Sequence, residues 1–329
     1  MTKNRRFGKT QNVAITMLVD NRADLIVKST DTVKRFTDEP LLAEHGLSVL
    51  INLQDAGIKI LWDAGISETA LLENARRMEV DLTQIDKIAL SHGHGDHTAA
   101  MTQVLRQICT PPETRRWESD VEIEEILVGI KQSRVPLILH PAALRERWGI
   151  RKDGTRFGPG QPPPYKEWEA IGAEVVLSSE PYQLGPGCWT TGYVPRQSFE
   201  QAGIPKTLFY RKETDFIQDY IDEDQAIVIH VAGKGLVVVS GCAHSGIVNT
   251  VRHAQEISGV ERVWAILGGF HMAFTDEEDT QRTIDAIKAL DPVLVAPSHC
   301  TGERSSQILA EAFGDGYVAS GLGTRIPLL

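Results

Sequence analysis

The sequence predicts a layered α/β domain, and three observations carry that prediction. Short runs rich in β-branched and aliphatic residues recur through the first half, each closed by a turn. In the second half such runs alternate with segments whose apolar residues recur at helical spacing, the pattern of strands covered by helices. Three apolar runs of that half end in histidine-bearing turns.

Taken in order, residues 13–19, 46–53, 58–62 and 85–90 read as a meander entering a sheet. After His97 the period changes: Met101, Val104, Leu105 and Ile108 share one helical face, so a helix starts beside the histidines before it. Residues 110–135, with Pro111, Pro112 and a charged stretch, and residues 154–165, with Gly158-Pro159-Gly160 and three further prolines, read as insertions or lids. Residues 226–231 and 236–239 flank an Ala-Gly-Lys-Gly turn and form a hairpin. Strands at 263–267 and 293–296 and helices at 247–257 and 280–290 complete the alternation. The turns that close these strands carry Cys242-Ala243-His244, Gly269-Phe270-His271 and Ser298-His299-Cys300.

Composition bounds the function. The chain has 329 residues, of which 42% are hydrophobic, enough for a sizeable core. A net charge of −10 leaves no broad basic surface for a nucleic-acid backbone. No apolar run approaches the ~20 residues of a membrane helix. Four cysteines without a C-x-x-C pair make no disulfide framework and fit a reducing cytosol, so a cytoplasmic location is expected. Residues 1–12 read as a flexible basic tail and residues 13–329 as one domain. The expected partner is a small-molecule substrate, and a homo-oligomer stays open.

The strongest chemical signal is Ser91-His92-Gly93-His94-Gly95-Asp96-His97, which puts four potential ligands in six positions between a strand and a helix. Gly93 and Gly95 let the backbone turn tightly enough for imidazoles two residues apart to converge. Imidazoles with one carboxylate suit Zn²⁺, Fe²⁺ or Mn²⁺.

Here the chain resembles the metallo-β-lactamase superfamily, whose H-x-H-x-D-H motif is matched in full. The resemblance implies an αββα sandwich with two divalent ions, most simply Zn²⁺, at one edge. His92 and His94 then go to the first metal, and Asp96 and His97 to the second. Ala43-Glu44-His45-Gly46-Leu47-Ser48, Leu61-Trp62-Asp63-Ala64-Gly65, Gly192-Tyr193-Val194-Pro195-Arg196, Gly241-Cys242-Ala243-His244-Ser245-Gly246, Gly268-Gly269-Phe270-His271 and His299-Cys300-Thr301-Gly302 narrow the match. Together they are similar to the subgroup named after 7,8-dihydropterin-6-methyl-4-(β-D-ribofuranosyl)aminobenzene-5′-phosphate synthase.

The chain departs from the superfamily pattern after the hairpin, where Gly-Cys stands in place of Gly-Asp, and residues 190–196 carry no histidine. His244 is therefore assigned as a ligand to either metal, and His299 as the final ligand of the second. His271 fits a ligand, a catalytic group or a residue facing substrate. Asp63 is expected to orient a ligating imidazole, Arg196 to pair with an anionic group of substrate, and Cys242 to be a soft ligand or a buried small residue, with burial the better fit. His140, His230 and His253 read as structural or exposed, while His45 lies in a family-like turn within reach of the site.

Two adjacent cations activate water, so the expected activity is hydrolysis of a small molecule, phosphorylated or pterin-like, with Asp96 orienting the water. The alternatives are the synthase reaction, forming a C–N bond with loss of diphosphate, and a di-iron redox protein.

Overall fold

The structure, a computed structural model, describes residues 7–109, 134–201 and 203–329. In chain order the first strands are β1 (Val13–Val19), β2 (Lys34–Arg35), β3 (Ser48–Leu53), β4 (Ile58–Trp62), β5 (Lys87–Ala89) and β6 (Val135–Leu139). Next come β7 (Arg147–Ile150), β8 (Arg156–Gly160), β9 (Ala173–Leu177), β10 (Gln183–Gly185), β11 (Cys188–Thr190), β12 (Leu208–Lys212) and β13 (Asp215–Gln218). The last are β14 (Ala226–Val231), β15 (Gly235–Ser240), β16 (Val263–Gly269), β17 (Leu294–Ser298) and β18 (Thr324–Leu328).

They form an eight-stranded sheet, β2-β18-β1-β3-β4-β5-β6-β9, and a six-stranded sheet, β10-β11-β14-β15-β16-β17. Both are mixed: β4, β5, β6 and β9 pair in parallel, as do β15, β16 and β17, and the remaining neighbours are antiparallel. Side chains of a strand point alternately to its two faces, and each apolar run serves two cores. In β15, Val237 and Val239 enter the core between the sheets, while Leu236 and Val238 face outward under helices. In β4, Ile60 and Trp62 face inward and Leu61 outward.

The inner core joins Ile15, Ile51 and Trp62 of one sheet to Ile227, Val239 and Leu267 of the other. Truncating a fully buried member such as Ile51 to alanine is expected to cost about 2–5 kcal/mol. Helices Ala70–Arg77, Met101–Ile108 and Tyr165–Ile171 cover the first sheet through Leu71, Leu105 and Trp168. Helices Ile247–Ser258, Glu277–Ala289 and Glu303–Phe313 cover the second through Val251, Ile284 and Leu309. The result is the expected αββα sandwich. Among the described residues no helix is long and apolar enough to cross a membrane.

Two expectations about organisation change. The expected tail contains an ordered part: Phe7 is buried and stacks on Trp189 at 5.6 Å, and Thr10 bridges to Val231. The apolar Phe7 gives these residues a partner that a basic tail lacks; residues 1–6 lie outside the described residues. The expected lid at 154–165 is in part a strand: β8 pairs with β7, and β12 and β13 extend them into a four-stranded antiparallel sheet. The expected insertion at 110–135 lies outside the described residues except at its end, where Val135 opens β6.

Candidate metal centre

The candidate ligands leave the sheets at the carboxyl ends of parallel strands, where open α/β sheets place their sites. From the first sheet, β4 ends at Asp63, and β5 leads into Ser91 and the turn through His97. From the second, β15 leads to Cys242 and His244, β16 to His271, and β17 to His299 and Cys300. Residues more than two hundred positions apart in the chain, such as His97 and His299, thus come within 3.2 Å.

Four non-glycine residues here hold left-handed backbone: Asp63 (φ 59°), Ala243 (φ 56°), His271 (φ 49°) and His299 (φ 47°). Such conformations cost of order 1–3 kcal/mol each and persist only where their surroundings impose them. Gly241 and Gly269 permit the close approach of the turns. A Cβ at Gly241 would meet Ser91 Oγ at 2.1 Å, and one at Gly269 would meet Gly241 O at 2.4 Å.

The hydrogen bonds on the outer side of the rings set which nitrogen faces inward. Asp63 Oδ2 lies 2.7 Å from His97 Nδ1 and accepts from Ser91 Oγ at 2.7 Å. Having spent its proton on Asp63, Ser91 Oγ accepts from His92 Nδ1 at 2.8 Å. His299 Nδ1 donates to Asn21 Oδ1 at 3.0 Å, and His244 Nδ1 to the Gly203 carbonyl at 2.8 Å. Four imidazoles therefore turn Nε2 toward one another, the arrangement by which outer acceptors orient metal-binding histidines.

This arrangement fits a metal centre on two observations. His97 Nε2 and His299 Nε2 face each other at 3.2 Å, and two lone pairs at that distance repel unless a cation lies between them. His244 Nε2 is buried with no hydrogen-bond partner among the described residues. Four overlapping donor groups have their ligand atoms within 4.8 Å of one another: Asp96-His97-Cys242-His299, His92-Cys242-His244, His92-His94-Asp96 and Cys242-His271-Cys300.

Charge follows the same geometry. Burial first, then the neighbouring imidazoles, push His92 and His244 well below the usual histidine range. Burial and Arg147 bring His94 to about 4. These three are neutral at pH 7, the form that binds metal. Burial also opposes charge on His97, but the carboxylates of Asp63 and Asp96 outweigh it and raise His97 to about 9. Without metal, a proton on His97 supplies the missing cation. Asp96 is held below the usual carboxylate range, since the surrounding imidazoles outweigh its burial. His45, largely exposed, brings Nε2 to 3.4 Å from Asp96 Oδ2 and so stands at the mouth of the site.

The structure brings His92, His94, Asp96, His97, His244, His299 and His271 together, with the His244 and His271 rings 4.3 Å apart. It keeps His230 away, bonded to the Gly8 carbonyl, and uses His140 to accept from Ala142 N at 3.1 Å. Arg196 is a correction. Its guanidinium donates to the carbonyls of Tyr220 and Ile221 and faces Asp222 at 3.9 Å, so it ties two loops together instead of reaching for substrate. Cys242 is buried, as expected, and its sulfur belongs to three of the four donor groups and lies 3.1 Å from His97 Nε2.

Comparison with known proteins gives a consistent result. The family described as the metallo-beta-lactamase superfamily matches residues 42–299. The chain is 28% identical over 316 residues to 7,8-dihydropterin-6-methyl-4-(β-D-ribofuranosyl)-aminobenzene-5′-phosphate synthase of Methanocaldococcus jannaschii, covering 94% of this chain and 95% of that one. An uncharacterised protein of the same organism is 28% identical over 311 residues, covering 94% and 99%. The crystal structure of Tm1679, described as a metal-dependent hydrolase of the β-lactamase superfamily, superposes with a TM-score of 0.66 at 22% identity, covering 95% of this chain and 98% of that one. With the H-x-H-x-D-H turn, the αββα layers and a family match over most of its length, this chain belongs to the metallo-β-lactamase superfamily.

Proposed function

We propose that the chain is a binuclear metal-dependent hydrolase acting on a small phosphorylated or pterin-like molecule. The observation that carries the reading is the convergence of buried imidazole nitrogens whose outer nitrogens are already engaged by protein acceptors. His92, His94 and His244 would hold one divalent ion, and Asp96, His97 and His299 the other, with zinc as the simplest choice for this donor set. When bound, two such ions lower the pKa of water toward ~7 and stabilise negative charge developing on a substrate oxygen.

The chain's own groups supply the rest. Asp63, through His97 Nδ1, fixes the ring that must present an unprotonated Nε2. Asp96, partly exposed at the mouth, is placed to accept a proton-bearing ligand's hydrogen bond and orient attacking water. His271 Nδ1, buried and without a hydrogen-bond partner, is available to a polar atom of substrate.

A second reading is favoured by the name of the curated relative: the same donors would serve a synthase that joins a dihydropterin to an aminobenzene ribosyl phosphate with loss of diphosphate. One experiment separates the two. Metal-loaded protein is incubated with a dihydropterin methyl diphosphate, with and without the aminobenzene ribosyl phosphate, and products are identified by mass. Cleavage that does not require the amine supports hydrolysis, a coupled product supports the synthase, and neither with any phosphoester tested would sink the proposed substrate class.

A further inference from the structure

We propose that Cys242, as a thiolate, bridges the two metal ions through Sγ. This rests on the binuclear reading above and adds the identity of the atom the two ions share. Its ground is that two donors fall in groups with both sets, Asp96 and Cys242, and of these Cys242 is the buried one, while Asp96 stands partly exposed at the mouth. A donor within reach of both sets stands between them.

The backbone around Cys242 is built to hold the sulfur there. Gly241 lies against Ser91, with no room for a side chain, so the turn after β15 descends onto the His92 and His97 side of the site. Gly241 O accepts from Gly269 N at 3.0 Å, fixing the strand end beside β16. Ala243 takes left-handed backbone, and Ser245 N donates to the buried Asp224 Oδ2 at 2.8 Å, so the turn cannot swing outward. Opposite it, His244 Nε2 is buried and unpartnered in the same donor group, a second mark that something is bound between them. Cys300 is the competing sulfur. It groups with Cys242 and His271 but with neither set of ligands, and its thiol points to the Cys242 carbonyl at 3.5 Å.

A thiolate donates more charge to its metal than a carboxylate and favours zinc, cobalt and ferrous ions over manganese or magnesium. On metal entry the Cys242 S–H bond would break, its proton leaving to solvent and the electron pair staying on sulfur to bind the ions; no other bond in the chain changes and no oxidant is needed.

The test is to load metal-free full-length protein with Co²⁺ or Zn²⁺, measure ions per chain, and read the metal–sulfur signature directly. The cobalt form is expected to show a near-ultraviolet thiolate-to-cobalt charge-transfer band that is lost in Cys242→Ser and kept in Cys300→Ser. X-ray absorption of the zinc form is expected to give about one sulfur per zinc at about 2.3 Å, because one bridging sulfur is counted by both ions. A sulfur count near half per zinc would mean a terminal ligand and overturn the bridge, as would two ions without the band, or a band lost in Cys300→Ser and kept in Cys242→Ser. Fewer than two ions per chain would overturn the binuclear reading and the bridge with it. The sulfur count is read on the Cys300→Ser form, where a value near one per zinc can come only from a shared Cys242 sulfur, so a misfolded Cys242→Ser protein leaves the test intact.

Discussion

The two halves of the metal centre are built differently. The half from the first sheet is one contiguous turn, residues 91–97, braced by Asp63, which receives hydrogen bonds from Ser91 N, Ser91 Oγ and His97 Nδ1. The half from the second sheet is three separate strand ends, contributing Cys242 with His244, His271, and His299 with Cys300. Its bracing is scattered over separate partners: the Gly203 carbonyl on His244, Asn21 and Asp20 on His299, and Asp224 on Ser245 N, with left-handed backbone at Ala243, His271 and His299. The first half is a fixed platform set by side-chain chemistry. The second sets how that platform is used, because its sulfurs and its unpartnered nitrogens are where this chain departs from the superfamily pattern.

If that division holds, the largest effect comes from the platform. His94→Ala or Asp96→Ala is expected to lower kcat/KM by roughly a thousandfold, several kcal/mol of transition-state stabilisation, and to lower metal content. Full activity in either variant, measured on metal-replete protein, would place the chemistry elsewhere.

His244→Ala tests the second half. It should lose one ion per chain and keep the circular dichroism spectrum and cooperative unfolding of the parent, because the platform and cores are untouched. Elemental analysis showing both ions bound with unchanged affinity would make His244 a substrate-facing residue.

Asp63→Asn sharpens the comparison, because it removes the platform's brace without removing a ligand. Metal affinity is expected to fall about 10–100-fold. It should also change the pH dependence. In the parent, His97 is held protonated up to about pH 9, and metal requires its unprotonated Nε2, so each ion entering there displaces a proton. The His97 share of the affinity should therefore rise about tenfold per pH unit below pH 9 and level off above it, on top of the proton that the Cys242 thiol, pushed up by burial, releases when it binds. Without the Asp63 carboxylate the His97 pKa falls and the levelling moves to lower pH. Zinc competition titrations across that range check both points, and identical profiles for parent and variant would remove Asp63 from the account.

The smallest effect on chemistry is expected from Arg196→Ala. Its guanidinium holds the carbonyls of Tyr220 and Ile221, so the variant should lose thermal stability, by about 1.5–3 kcal/mol for hydrogen bonds made by a charged group, and keep its metals. A large rise in KM at unchanged stability would restore the substrate-binding role that its sequence context suggested.

By itself the sequence determined the layers and the platform. Strand β15 is apolar on both faces because it is buried on both, and that continuous run was legible without coordinates. The histidine turn was legible because its four ligands are neighbours in the chain and two glycines between them explain how they converge. Asp63 was legible too, as a carboxylate at a strand end before Gly65.

Only the tertiary structure decided the rest. Cys242 read as a soft donor or as a small buried residue, with burial the better fit; what surrounds its sulfur depends on His92, His97 and His299, which arrive from other strand ends. Arg196 looked like a free cation beside the site, and Tyr220, Ile221 and Asp222, a sheet away in sequence, claim it. The ordered Phe7 and the small sheet of β7, β8, β12 and β13 were hidden for the same reason. Periodicity reports which face of an element is buried, whereas the identity of what covers it, or of what faces a ligand across a gap, is a long-range fact fixed by how the strands are joined.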